Sequence, residues 1–198
     1  MTREATPREW FTVRWSDDGV VLLDQRRLPT EEVYLTLATV EAVADAIESL
    51  AVRGAPAIGC TAAFGIALAA QKARAREPDA LRAELEAAFE RLAATRPTAV
   101  NLFASLRRMR AAFDAAAAEP GATSDSIRAQ LVETAQHLLA EDVAACRAIG
   151  RAGLELIPKG ARVLTHCNAG ALATGGYGTA LGIVRAAAEA GRGVRVLA

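Results

Sequence analysis

Lysine and histidine are scarce in this chain, with 2 of each among 198 residues, and its 23 basic side chains are balanced by 23 acidic ones. With no net charge there is no field to draw the protein to nucleic acid or to an anionic membrane, so neither is expected as a partner. Aromatic residues make up only 5%, and the 3 cysteines stand far apart at positions 60, 146 and 167. An odd number at wide spacing, no C-x-x-C pair, and only His137 and His166 as imidazoles disfavour both a disulfide framework and a metal site. Long apolar runs are missing too. The least polar stretch, residues 55–70, has Thr61 as its one polar member and falls short of the ~20 residues a bilayer span needs. Residues 1–15 mix Arg, Glu and Pro without an apolar core of signal-peptide length, which points to a cytoplasmic protein.

What the chain does have is alanine, 47 residues of it, within a hydrophobic content of 52%. That composition builds helices, and the length suits one ordinary domain or two small ones. The opening forty residues are the exception. Residues 11–15 alternate, Asp17-Asp18-Gly19 supplies turn chemistry and residues 20–23 resume the apolar pattern, which reads as a hairpin, with residues 33–37 as a third strand. Thr39 is placed to cap a helix through about Val52, with Val40, Val43, Ala44, Ile47 and Leu50 at helical spacing.

Four more helices are predicted. Pro56 opens one that runs to about Arg74; Asp79 caps a second to Ala94; Thr98 caps a third with Leu102, Leu106, Met109 and Phe113 on one face. Ser124 or Asp125 starts a long fourth carrying Ile127, Leu131, Ala135, Leu138, Cys146 and Ile149. After Pro158-Lys159-Gly160 the pattern changes to strand (161–165), glycine-rich loop (168–178), helix (179–190) and strand (194–198), a βαβ unit. The fold class is α/β. Residues 1–157 are expected to form a small β-sheet plus helical domain and residues 158–198 the beginning of a Rossmann-like parallel-sheet domain. Two parallel strands lack the width for independent stability, so that second domain reads as truncated. A single mixed sheet joining these strands to the N-terminal ones is the competing arrangement.

Three short stretches are candidates for chemistry. Arg162-Val-Leu-Thr-His-Cys-Asn-Ala-Gly-Ala-Leu-Ala-Thr-Gly-Gly-Tyr-Gly178 runs from strand to glycine-rich loop, where backbone N–H groups are free to meet an anion. Cys167 lies at that junction, either as a reactive thiol or as a small cysteine packed beneath the loop, and His166 is expected on the opposite face in a structural role. The glycines do not spell G-x-G-x-x-G, nor does Lys-Ser or Lys-Thr follow them, so neither a dinucleotide nor ATP is implied. In Val52-Arg53-Gly54-Ala55-Pro56 an arginine precedes a helix start, and Thr95-Arg96-Pro97-Thr98 repeats the setting. Each arginine alone reads as well as a solvated surface residue. Two of them converging on one anion would be a site.

The segments VRGAPAIG (52–59), TRPTAVNLF (95–103) and THCNAGALATGGYGTALG (165–182) resemble, in order and across nearly the whole chain, the N-terminal signatures of the methylthioribose-1-phosphate isomerase family. That family is related to the regulatory α, β and δ subunits of the eukaryotic guanine-nucleotide exchange factor for translation initiation, and to ribose-1,5-bisphosphate isomerase. The resemblance implies an aldose–ketose isomerase of methionine salvage without a cofactor, with a small sugar phosphate held between two domains of a homodimeric protein. It implies Cys167 as the catalytic cysteine and Arg53, Gly54, Ala55 and Arg96 as substrate contacts. The family's catalytic aspartate, substrate-binding glutamine and Asn-Lys pair would fall past Ala198, so the 198 residues alone are expected to be inactive. A noncatalytic subunit sensing a sugar phosphate and a helical oligomerisation module are the alternatives from other classes.

Overall fold

The computed structural model describes residues 10–198, so residues 1–9, most of the stretch read as leader-free, lie outside the described residues. Strands β1 (Val13–Ser16) and β2 (Gly19–Leu23) form the expected hairpin across Asp17-Asp18, and β3 (Tyr34–Leu37) adds antiparallel to β2. Gly19 is required there. Its φ is +142°, and a Cβ on it would stand 2.2 Å from the Leu37 carbonyl oxygen. Every residue of β2 is buried because the strand is central in its sheet and helices cover it.

Helix α1 (Val40–Glu48) is capped by Thr39, whose side chain accepts from the Ala42 amide. It ends four residues before the expected Val52. Leu50 turns left-handed at φ +61°, and the reversal carries Ala51 and Val52 into the core, with the Gln25 amide donating to the Ala51 carbonyl. Leu50, left outside, is 40% exposed. Helix α2 (Ala55–Lys72) runs through the middle of the molecule with both faces buried, which its small residues permit. One distant side chain holds its end and the segment that follows: the Arg128 guanidinium donates to the carbonyls of Ala70 in the last turn, of the cap residue Ala73 and of Ala75 beyond it.

Around α2 pack α3 (Pro78–Thr95), α4 (Val100–Ala118) and α5 (Ser124–Leu154). Their cores follow the predicted periodicity, but three caps do not. Pro78 has a fixed φ and no N–H, so it takes the first helical position, and Asp79 lies in the first turn and caps nothing. Ahead of α4 the Ala99 amide donates to the Arg96 carbonyl, a turn entered through Pro97; this moves the cap to Ala99 and leaves Thr98 exposed. At α5 the cap is Thr123, in a reciprocal box with Ser126, rather than Ser124 or Asp125. Thr123→Ala is therefore expected to cost about 1 kcal/mol and Thr98→Ala a few tenths at most, read from urea denaturation midpoints.

The chain then makes the βαβ unit: β4 (Arg162–Leu164) and β5 (Arg195–Leu197) pair in parallel, joined through α6 (Ala180–Glu189). They form a sheet of their own, so the single mixed sheet is not what the chain adopts. Helix α6 lies on the C-terminal part of α5, where Gly150 and Gly153 make room for Tyr177 and Ile183. Ile149, assigned to the apolar face of α5, is 41% exposed because α5 has by then run past the helices packed on its first half. Leu164 and Leu197 of the parallel pair are 80% and 61% exposed. No described helix is long and apolar enough to cross a membrane.

Candidate functional site

The glycine-rich loop leaves β4 at Leu164, with the Thr165 amide donating to the Leu197 carbonyl at 2.9 Å. His166, Cys167 and Asn168 follow, all exposed. His166 is therefore outside the strand and in solvent, where it has no structural partner among the described residues. Cys167 is not the small cysteine packed beneath a loop. It stands exposed with φ +72°, a left-handed backbone that costs a side-chain-bearing residue about 1–2 kcal/mol. Strain of that kind persists where the surroundings over-determine the backbone, and it concentrates at functional sites.

The rest of the loop is tied down. The Ala169 carbonyl accepts from the Thr179 and Leu181 amides, and Gly170 bridges Gly178. A 3-10 turn covers Ala171–Ala173. Thr174 then collects its neighbours: Oγ1 accepts from the Gly178 and Gly176 amides at 3.0 and 3.3 Å and donates to the Ala171 carbonyl at 3.2 Å. From α5, Asp142 Oδ2 accepts from the Gly175 amide at 2.6 Å.

Two buried polar residues of the first sheet region hold the 3-10 turn from the other side. Thr12 Oγ1 donates to the Ala171 carbonyl at 3.0 Å and Gln25 Nε2 to the Leu172 carbonyl at 2.7 Å. Neither residue stood out in the sequence. A lone polar residue beside a strand carries no periodic signal, and what marks these two is burial together with a partner 159 and 147 residues away.

The VRGAPAIG segment meets this turn directly. Gly54, the cap of α2 at φ +98°, faces Ala173 so closely that a Cβ would stand 2.4 Å from the Ala173 Cα and carbonyl oxygen. Next to it Arg53, exposed, donates to the Gln25 carbonyl at 3.2 Å, and Ala55 is exposed in the first turn of α2. Arg53, Gln25 and Leu172 are thus in one hydrogen-bonded series. The TRPTAVNLF segment joins through helix packing: a Cβ on Gly59 would lie 2.8 Å from Ser105 Oγ and 2.9 Å from the Asn101 carbonyl oxygen. Arg96 is half-buried at the end of α3, just ahead of α4. Among the described residues neither Arg53 nor Arg96 pairs with a carboxylate, and neither α2 nor α4 has a side-chain cap on its first turn. Guanidinium groups without a carboxylate partner, beside uncapped helix starts, are suited to an oxyanion such as a phosphate.

Behind this junction a cavity of about 270 Å³ is lined by Pro56 and Cys60 of α2, Asn101, Ser105 and Arg108 of α4, and Asp142 of α5. Burial pushes the Cys60 thiol up to about 12 and raises Cys146 as well, so both are protonated thiols at neutral pH. Burial also raises the Asp142 carboxyl, against the Gly175 amide that favours its ionised form.

Residues 51–198, which carry all three segments and their junction, match the initiation factor 2 subunit family. The chain belongs to that family. Within it, the chain is 54% identical over 187 residues to a protein of Koribacter versatilis named methylthioribose-1-phosphate isomerase, covering 94% of this chain and 52% of the relative. A second relative of the same name, from Pelotomaculum thermopropionicum, is 55% identical over 188 residues, covering 94% and 51%. Among solved structures, 5-methylthioribose 1-phosphate isomerase from Pyrococcus horikoshii superposes with a TM-score of 0.86 at 39% identity, over 97% of this chain and 54% of that one. Translation initiation factor eIF-2B subunit delta from A. fulgidus superposes with a TM-score of 0.82 at 44% identity, over 94% and 53%. The proteins this chain is similar to thus include named isomerases and a named translation-factor subunit. The chain spans about half the length of the curated relatives it matches.

Proposed function

We propose that the protein carries the N-terminal half of an aldose–ketose isomerase that converts 5-methylthioribose 1-phosphate to 5-methylthioribulose 1-phosphate. The observation that supports this most is the contact of Gly54 with Ala173, which brings the Arg53 segment against the loop that bears the exposed Cys167. The boundary between the two domains falls at residues 157 and 158, the enzyme is cytoplasmic, and it works as a homodimer.

The chemistry follows from the substrate class. The anomeric oxygen of such a sugar is esterified, so the ring cannot open as a free hemiacetal does. An acid must deliver a proton to the ring oxygen as its bond to C1 breaks. The C2 hydroxyl gives up its proton as the C2 carbonyl forms, and hydrogen moves from C2 to C1, either as a proton through an enediolate or as a hydride. The sum is an isomerisation that needs acid and base groups and no external oxidant or reductant. Cys167 serves as the acid–base group or stabilises developing charge, with an acidic partner from the C-terminal half. Arg53, Gly54, Ala55 and Arg96 hold the substrate, the guanidinium groups and helix-start amides meeting phosphate or hydroxyl oxygens.

A coupled assay on the complete reading frame tests this. Turnover of methylthioribose 1-phosphate supports it, and preference for ribose 1,5-bisphosphate reassigns the substrate. Binding of the sugar phosphate without turnover overturns the enzyme reading in favour of a sensing subunit, the second reading, which the likeness to the translation-factor subunit favours. In the complete protein Arg96→Ala is expected to weaken substrate binding by about 1.5–3 kcal/mol through loss of a charge-assisted hydrogen bond. Calorimetry checks it, and unchanged affinity places Arg96 outside the site.

A further inference from the structure

The glycine-rich loop is held from two sides, and only one of them belongs to the segments already discussed. On the sheet side stand Thr12, Gln25 and Gly54. On the opposite side α5 presents Leu139, Asp142 and Val143 to Gly175, where a Cβ would come within 2.8, 3.0 and 3.1 Å of their side chains. Packing this close leaves no room for a side chain at 175, and it lets the carboxylate reach the backbone amide.

The Asp142–Gly175 hydrogen bond, at 2.6 Å, is at the short end even for a charge-assisted contact. Among the described residues no cation pairs with that carboxylate. From α4 the Arg108 guanidinium faces the same cavity, but it is paired with Glu141. Glu141 is held below the usual carboxylate range, first by Arg108 and then by His137. From α2 and α5 the ionisable neighbours of Asp142 are the thiols of Cys60 and Cys146, both protonated. The loop side contributes only the Gly175 amide. A half-buried carboxylate with no counter-ion among the described residues is unfavourable as a device for stability alone. Here its one firm partner is the backbone of the loop.

The geometry points to Asp142 as a positioning residue that fixes the glycine-rich loop from α5 by holding the Gly175 amide. The bond sets Gly175, and through it Thr174, whose hydroxyl gathers the Gly176 and Gly178 amides and the Ala171 carbonyl. Gly178 in turn bridges Gly170, three residues beyond Cys167. Among the described residues Asp142 makes no hydrogen bond to Cys167, Arg53 or Arg96, and it acts through this backbone. Its consequence for turnover rests on the isomerase reading; the anchoring itself does not.

Two measurements test the two parts separately. In proton–nitrogen spectra of the complete protein, the Gly175 amide shift should follow the protonation of the Asp142 carboxyl as pH is lowered. In Asp142→Asn it should stop responding, while Gly175, Gly176 and Gly178 exchange about tenfold faster and the α2 interior amides are unchanged. A Gly175 shift flat with pH in the wild-type chain overturns the anchor, and needs no variant to fold. In the complete protein Asp142→Asn should lower kcat by roughly 10- to 100-fold with KM within about threefold, the signature of misplaced groups rather than lost binding, and Asp142→Glu should restore part of it. An unchanged kcat in Asp142→Asn overturns the positioning role. If the wild-type complete protein turns over no sugar phosphate, the isomerase reading fails, and the Gly175 titration still decides the anchor.

Discussion

Gly54→Ala should lower the stability of this chain by about 2–6 kcal/mol. Two independent costs combine. The backbone at φ +98° is one that L side chains rarely adopt, which accounts for about 1–3 kcal/mol. The added methyl would also lie 2.4 Å from the Ala173 Cα and carbonyl oxygen, backbone atoms that cannot rotate away, at an overpacking cost of about 1–3 kcal/mol more. Gly121→Ala separates the two, because Gly121 has φ +78° with nothing within 4 Å of an added Cβ. Urea denaturation of both variants is the check. Equal losses would mean that the approach of α2 to the loop is loose. On the isomerase reading, Gly54→Ala should also remove turnover in the complete protein, since the methyl can be accommodated only by parting the Arg53 segment from the loop.

Cys167 should separate stability from function. In the complete protein Cys167→Ala is expected to lower turnover by about 10²- to 10⁴-fold, the range for loss of a positioned acid–base group, while substrate binding changes little. Cys167→Gly should lower turnover as far and yet stabilise the protein. Relief of the left-handed backbone returns about 1–2 kcal/mol, and the greater freedom of glycine in the unfolded chain takes back about 0.4–1 kcal/mol. The net gain expected is up to about 1.6 kcal/mol, read in the same denaturation series. Near-normal turnover in Cys167→Ala would remove the chemical role. A destabilised Cys167→Gly would mean that the thiol makes a contact worth more than the strain.

Much of the fold was legible without coordinates. The hairpin at Asp17-Asp18-Gly19, the cap at Thr39, the apolar face of α4 and the parallel βαβ unit all follow from spacing and turn chemistry. The errors gathered at helix ends. Asp79 and Thr98 have good capping side chains, yet Pro78 and the Arg96–Ala99 turn set the starts of α3 and α4, because backbone restriction at proline outweighs one side-chain hydrogen bond. The candidate site was legible in its three segments. It was not legible in Thr12, Gln25 or Asp142, single polar residues with no pattern around them.

The order and kind of the elements, and the three segments bearing Arg53, Arg96 and Cys167, were set by the sequence alone, since periodicity and turn chemistry act within a few residues of the chain. Which backbone meets which was decided by the tertiary structure: Gly54 against Ala173, Gln25 on the Leu172 carbonyl, Asp142 on the Gly175 amide, Arg128 on the end of α2. Each of these satisfies a polar group or fills a gap that exists only once distant elements have packed. The need to pair buried N–H and C=O groups can then be met by whichever side chain the fold brings near, and no local pattern records it.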